Sequence, residues 1–155
     1  MRLTQLVERV QDDLLYHSTA LSSAISLLTQ RVIMPAGTSS GKPAISFTRN
    51  IRYVYNDGSV RLVIDRAVLA HNHKIVPFDY IHSTMSPAEI ADEYADMDAA
   101  ELKEQEERVF QPVVVDNRMV KEIQVIRANL VQSDTPELQQ LVALAKDLNI
   151  PIKAV

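Results

Sequence analysis

The sequence predicts an α+β fold built from short strands with flanking helices. Two observations carry this. Several short apolar or alternating runs read as strands, and they are interleaved with helical periods without the regular β-α alternation that a doubly wound parallel sheet requires. No internal repeat and no low-complexity tract interrupts the pattern.

Leu3, Leu6, Val7, Val10 and Leu14 fall at helical spacing and predict an opening helix. The run 14–19 then reads as a short strand ending in polar residues. Leu21, Ile25 and Leu28 restart the 3.6-residue period, which predicts a helix over 19–30 with Ser18 or Thr19 as its N-cap. Prolines and glycines make 35–43 a loop. In the strand expected at 45–48, Ile45 and Phe47 share one face, Ser46 and Thr48 the other. Asn56-Asp57-Gly58 predicts a turn between the runs 52–55 and 60–64. Asp65 is placed to cap a one-turn helix through Leu69, and 74–76 reads as a strand stopping before Pro77.

Ser86-Pro87-Ala88-Glu89 opens an acidic helix, with a cap, proline at the first helical position and glutamate at the third. This helix is expected to run, with a break, to about Glu106. The runs 108–110 and 121–126 read as strands, with a turn near Asp116-Asn117. Thr135-Pro136 caps a last helix whose apolar set is Leu138, Leu141, Val142, Ala145 and Leu148, and 150–155 reads as a closing strand.

A chain of 155 residues, 46% hydrophobic and 23% charged, has the composition of one globular domain, expected over 1–155 with the acidic segment 86–107 inserted. No apolar run approaches the ~20 residues that span a bilayer, so no membrane partner is expected. The amphipathic, acidic start lacks a small-residue cleavage site, and no secretory signal is expected. The absence of cysteine removes disulfides, thiolate catalysis and cysteine-based zinc sites, and fits a cytoplasmic location. Net charge is −4, but between Ser86 and Glu107 nine acids face one base, so the rest of the chain is mildly basic. That balance suits an anionic ligand and is too small to indicate nucleic-acid binding.

Several tempting motifs fail on their own chemistry. Gly37 and Gly41 are separated by three residues where a phosphate-binding loop needs four, and Pro43 stands where Ser or Thr would ligate magnesium. His71 and His73 have strand spacing, with Asp79 or His82 as a conceivable third ligand, but nothing fixes a metal geometry, so no metal is expected. Two places are more informative. Tyr16-His17-Ser18-Thr19 puts a histidine and two hydroxyls where a strand hands over to a helix, a junction that suits a ribose or phosphate and equally suits a plain capping sequence. Glu106-Glu107-Arg108-Val109-Phe110 puts two carboxylates just ahead of a strand.

Taken in order, these pieces resemble the ADP-ribosyltransferase-like fold, the NAD-using fold of many bacterial and phage toxins. The matching pieces are Leu15-Tyr16-His17-Ser18-Thr19, the helix ending in Leu27-Leu28-Thr29-Gln30-Arg31-Val32-Ile33, Ile45-Ser46-Phe47-Thr48-Arg49-Asn50, the runs 60–65 and 74–80, Glu106 to Phe110, and 120–125. Together they cover about residues 14 to 126.

The resemblance implies NAD as the co-substrate. It assigns His17, with Ser18 and Thr19 beside it, to the nicotinamide ribose or amide. It assigns Ser46, Phe47, Thr48 and Arg49 to the strand near the nicotinamide, with Arg49 either facing the pyrophosphate or serving as a structural ion-pair residue. It assigns Glu107 or Glu106, Glu107 slightly preferred, to the carboxylate that stabilises the positive charge developing on the ribose. Gln105, two residues before Glu107, loosely fits an arginine acceptor. Phe47, Tyr53 and Tyr80 are candidates for an aromatic clamp. The implied activity is transfer of ADP-ribose to a host macromolecule, protein rather than nucleic acid, by a phage or mobile-element effector. The alternative is a non-catalytic protein of the same fold that binds a host partner through its acidic helix.

Overall fold

In a computed structural model of the chain, the described residues are 14–37, 42–49, 51, 58–78, 85–93, 95, 106–130 and 135–155. The expected opening helix, the strand at 52–55, Tyr80, His82 and Gln105 lie outside them.

The larger sheet has strand order β1-β4-β8-β9, from β1 (Leu14–Thr19), β4 (Val60–Asp65), β8 (Val120–Val125) and β9 (Ile152–Ala154). The first three strands are antiparallel, and β9 runs parallel to β8. Alternation of side chains gives the sheet one apolar and one polar face. Leu15, Leu62, Ile64 and Ile123 are buried in the core, where Ala24, Leu27 and Leu28 of helix α1 (Leu21–Gln30) and Leu141 and Ala145 of helix α4 (Pro136–Asp147) join them. On the opposite face Arg61 is buried, yet its Nε donates to Gln124 Oε1 at 2.8 Å and its Nη1 to the Ile51 carbonyl at 2.6 Å. These partners satisfy a charge that would otherwise be costly to bury.

The second sheet has order β3-β6-β5, all antiparallel, from β3 (Ile45–Phe47), β5 (Val76–Phe78) and β6 (Glu106–Val109). A short antiparallel pair joins β2 (Val32–Ile33) to β7 (Val113–Val114). A backbone bridge joins the two larger sheets: Tyr16 N donates to the Thr48 carbonyl at 2.8 Å, and Thr48 N to the Tyr16 carbonyl at 2.9 Å.

The main elements follow the sequence pattern, and the departures have identifiable causes. Helix α1 starts at Leu21 with Ala20 as N-cap and no side-chain cap, because Ser18 and Thr19 are held in β1 opposite Arg61 and Val60. It ends at Gln30 because Arg31 turns left-handed, with φ of 57°, and its carbonyl accepts from Val115 N. Residues Val32 and Ile33 therefore form a strand and do not end the helix. Asp65 caps helix α2 (Arg66–Asn72), accepting from Val68 N at 3.1 Å. The helix is longer than expected and takes in His71, so His71 and His73 do not share a strand. Strand β5 continues through Pro77, which an edge strand tolerates because its outer side makes no ladder bond.

Helix α3 (Pro87–Glu93) has the expected reciprocal cap, with Ser86 N donating to Glu89 Oε2 at 2.7 Å and Glu89 N to Ser86 Oγ at 3.3 Å. The acidic helix does not reach Glu106, however: Glu106 and Glu107 lie inside strand β6, not ahead of it. Thr135 caps α4 as expected. Val142, placed in the apolar set of α4 by its spacing, is 45% exposed, because the fully buried stripe of this helix holds only Leu141 and Ala145.

Phe47 is fully buried where the two sheets approach each other. Truncating it to alanine is expected to cost about 3–5 kcal/mol, and Thr135→Ala about 1 kcal/mol through the lost cap. Denaturant unfolding of both variants checks the ranking, and a Phe47→Ala cost no larger than that of Thr135→Ala would contradict it.

Candidate functional site

Two structural features converge on β3. The first is a groove of about 400 Å³ lined by His17, Ser18 and Thr19 of β1, Ser46 of β3, and Ser23 and Ser26 of α1. The Tyr16–Thr48 bridge brings β1 alongside β3, and there His17 Nδ1 lies 2.9 Å from the Ser46 carbonyl oxygen. A carbonyl only accepts, so Nδ1 carries the proton and donates. Burial pushes the His17 pKa down, opposed by this hydrogen bond, and the net shift is downward. The ring is therefore neutral near pH 7, and Nε2 is an acceptor. Ser18 Oγ is buried and has no hydrogen-bond partner among the described residues.

The second feature is a pair of ionic clusters on β6. Successive strand residues face opposite ways, so Glu106 and Arg108 share one face and Glu107 takes the other. Ser46 Oγ donates to Glu106 Oε1 at 2.5 Å, Arg108 Nε donates to the same oxygen at 2.7 Å, and the Arg108 guanidinium stacks 3.6 Å from the centre of the Phe78 ring. This cluster is closed, with the side chains of Glu106 and Arg108 only 3% and 6% exposed. Glu107, opposite Phe47 in the ladder, meets two arginines. Arg49 donates to Oε1 through Nε at 3.0 Å and through Nη2. Arg66 donates from Nε to Oε2 at 3.0 Å and from Nη2 to Oε1 at 3.1 Å. Burial pushes the Glu107 carboxyl up, but the hydrogen bonds and charges of Arg66 and Arg49 outweigh it and hold the group below the ordinary glutamate value. The Glu107 side chain is 4% exposed and its arginines about a third exposed, so this cluster opens outward through its cations.

Of the residues singled out in the sequence, His17, Ser18, Thr19 and Ser46 line the groove together. Phe47 and Thr48 do not; both are fully buried, although the Phe47 ring centre lies 5.6 Å from that of His17. Arg49 pairs with Glu107. Arg66 and Arg108 escaped the sequence reading. Arg66 lies 41 residues from its carboxylate, a separation that carries no periodic signal. Among the described residues no three His, Asp or Glu side chains group as a metal site, and no helix is long and apolar enough to cross a membrane.

The downward shift of His17 has a thermodynamic consequence. Below its unfolded value of about 6.5 the unfolded chain takes up a proton that the folded chain resists, so this contribution is complete above pH 6.5 and is lost as pH falls through the lower, folded value. Thermal melts between pH 7.5 and 5 are expected to show wild-type Tm falling on acidification and a flatter profile for His17→Asn. Parallel profiles would remove His17 as the source.

No protein-family model matches the chain, and no curated protein matches it in sequence. Solved structures do match in shape. The DarT protein of Thermus sp. 2.9 in complex with NAD+ superposes with a TM-score of 0.57 at 11% identity, over 92% of this chain and 95% of that one. The same protein in complex with carba-NAD+ gives 0.54 at 14% identity, over 92% and 95%. In complex with ADP-ribosylated ssDNA it gives 0.56 at 13% identity, over 92% and 94%. Near-complete coverage of both chains, with the split sheets and flanking helices described above, shows that this chain has the α+β ADP-ribosyltransferase-like fold, similar to that of DarT.

Proposed function

We propose that the protein is an NAD-dependent ADP-ribosyltransferase, with NAD held in the groove beside β1 and β3 and with Glu107 as the carboxylate that stabilises the transition state. The observation that carries this reading is the groove itself. It combines a neutral His17 whose Nε2 accepts with the flanking Thr19, Ser23, Ser26 and Ser46, and it lies in a fold whose solved relatives include NAD+ complexes. Ribose hydroxyls and a carboxamide are the donor and acceptor groups that such a lining fits.

NAD supplies an activated ribose, from which nicotinamide leaves with the bonding electron pair while the acceptor forms the new bond at the same carbon. A negative group fixed beside that carbon lowers the barrier because it meets charge that is greater in the transition state than in the substrate. Glu107 fits this role better than Glu106. The Glu106–Arg108 pair is sealed, whereas Glu107 is reached through Arg49 and Arg66, whose partly exposed guanidiniums are of a type that suits a pyrophosphate. Drawing these arginines onto the pyrophosphate would uncover the Glu107 carboxylate.

The expectation of a protein acceptor gains no support from the structural relatives. The ADP-ribosylated ssDNA complex of the DarT protein favours a single-stranded nucleic acid instead.

Calorimetry with NAD and turnover assays test the assignment. Saturable NAD binding is expected, weakened about tenfold or more in His17→Ala. Glu107→Gln is expected to lower turnover by at least 100-fold with an unchanged fold. Glu106→Gln is expected to act chiefly on stability, by leaving Arg108 buried without its charge partner. Radiolabel from NAD is expected on single-stranded DNA and not on protein in a mixed acceptor assay. Unchanged turnover in Glu107→Gln would sink the assignment.

A further inference from the structure

Both cations that hold Glu107 are aimed from strand β4. Arg66 follows directly on its last residue, Asp65, and starts helix α2. Arg49 has no such continuity with β4, because it stands in the loop after β3. The link is Arg61, on the face of the larger sheet away from the core. Its Nη1 donates to the Ile51 carbonyl at 2.6 Å, two residues beyond Arg49. One residue before Arg49, the Thr48 backbone is bonded to Tyr16 in both directions. The Ile51 side chain is 48% exposed, so the loop is tied here by its carbonyl and not by a buried side chain. Arg49 therefore sits between two backbone ties.

The guanidinium that makes the second tie is itself fixed. Arg61 is buried, its Nε donates to Gln124 Oε1 at 2.8 Å, and it stands 5.5 Å from the centre of the Tyr16 ring. Gln124 Nε2 in turn donates to Glu122 Oε1 at 2.7 Å, and Lys153 Nζ lies 3.3 Å from the same oxygen. Burying a cation is costly. The planar fork of arginine can nevertheless meet Gln124 and the loop carbonyl at once, which a single ammonium head does not.

We propose that Arg61 is a positioning residue for the transfer reaction: by holding the Ile51 carbonyl it sets the loop that carries Arg49, and so places Arg49 against Glu107 and within reach of the NAD pyrophosphate. This rests on the reading of Glu107 as the transition-state carboxylate and of Arg49 as a pyrophosphate partner. With the loop backbone tied on both sides, only the Arg49 side chain has to move when the donor arrives. Arg61 is absent from the groove lining and from the Glu107 cluster, so it acts through the loop.

Two readouts test this in the full chain: the pH titration of the Glu107 carboxyl, followed by carboxyl-carbon NMR, and KM for NAD. Among the described residues the charged groups that contact Glu107 are Arg49 and Arg66. Burial raises its carboxyl, and the contacts of Arg66 and Arg49 outweigh this and hold it below the ordinary glutamate value. In Arg61→Gln the Glu107 titration is expected to move to higher pH, because one of these cations is no longer held beside it. KM for NAD is expected to rise about tenfold, with a smaller change in kcat. Arg61→Lys, which keeps a donor for the carbonyl, is expected to recover most of both effects. Thr135→Ala, which lowers stability through a helix cap, is expected to leave both readouts at their wild-type values. Should Arg61→Gln not fold, Gln124→Met, which keeps the guanidinium and removes its anchor, is expected to shift both in the same direction. An unchanged Glu107 titration in whichever of these two variants folds, or an equal shift in Thr135→Ala, overturns the proposal. A shifted titration in a protein that never consumes NAD supports the tie between Arg61 and Arg49 and overturns the transferase reading.

Discussion

The pair of backbone hydrogen bonds between Tyr16 and Thr48 holds the rest of this architecture in place. Strand β1 forms the edge of the larger sheet through β4, and at Tyr16 its other edge is used to capture the end of β3. An edge strand has unpaired donors and acceptors to spend, and here they join two sheets that otherwise have separate ladders. The consequences are local and chemical. His17, the next residue along β1, comes alongside Ser46, and Phe47 is enclosed between the sheets. The groove exists because α1 leaves β1 immediately after this junction, with Arg31 in a left-handed conformation to send the chain back along β2 and β7.

Strand β6 shows how period-two geometry separates two adjacent, chemically identical residues. Glu106 and Glu107 face opposite ways, and each meets a different set of cations. Burying a carboxylate is expensive, and the ion pairs do not make it cheap: the attraction is spent largely against desolvation. What the arrangement provides is position. Glu106 is fixed by Ser46 and Arg108, with Arg108 itself fixed on Phe78, so one face of β6 is locked to both of its neighbouring strands. Glu107 is held by arginines that arrive from a loop and from a helix start, elements that can yield more readily than a strand. Glu107 is paired with two partly exposed arginines and Glu106 with a buried one, although sequence and burial make the two glutamates look alike.

Much of the fold was legible in the sequence, because the features involved are local. Helix α2 with its Asp65 cap, the Ser86–Glu89 reciprocal cap and the Thr135 cap each depend on side chains within four residues of the backbone they satisfy. The order of the pieces was enough to bring the ADP-ribosyltransferase-like fold into view, since each piece carries a little of that pattern and their sequence carries the rest. The histidine of β1 and the glutamates of β6 stood out because they are titratable groups where strands begin or end.

What the sequence could not decide were the pairings across long separations. Whether Ser18 and Thr19 cap a helix or complete a strand depends on β4, which reaches them from more than 40 positions away. Whether Phe47 faces a ligand or the core depends on the larger sheet packing against its own. Whether Glu106 or Glu107 is the accessible carboxylate depends on Arg66, Arg49 and Arg108 arriving from different elements. The sequence by itself determined the elements, their caps and the α+β class, because those follow from periodicity and near-neighbour hydrogen bonds. Only the tertiary structure decided which carboxylate met which cation and which hydroxyls lined a groove, because side-chain partners so far apart in the chain are chosen by strand register and sheet packing.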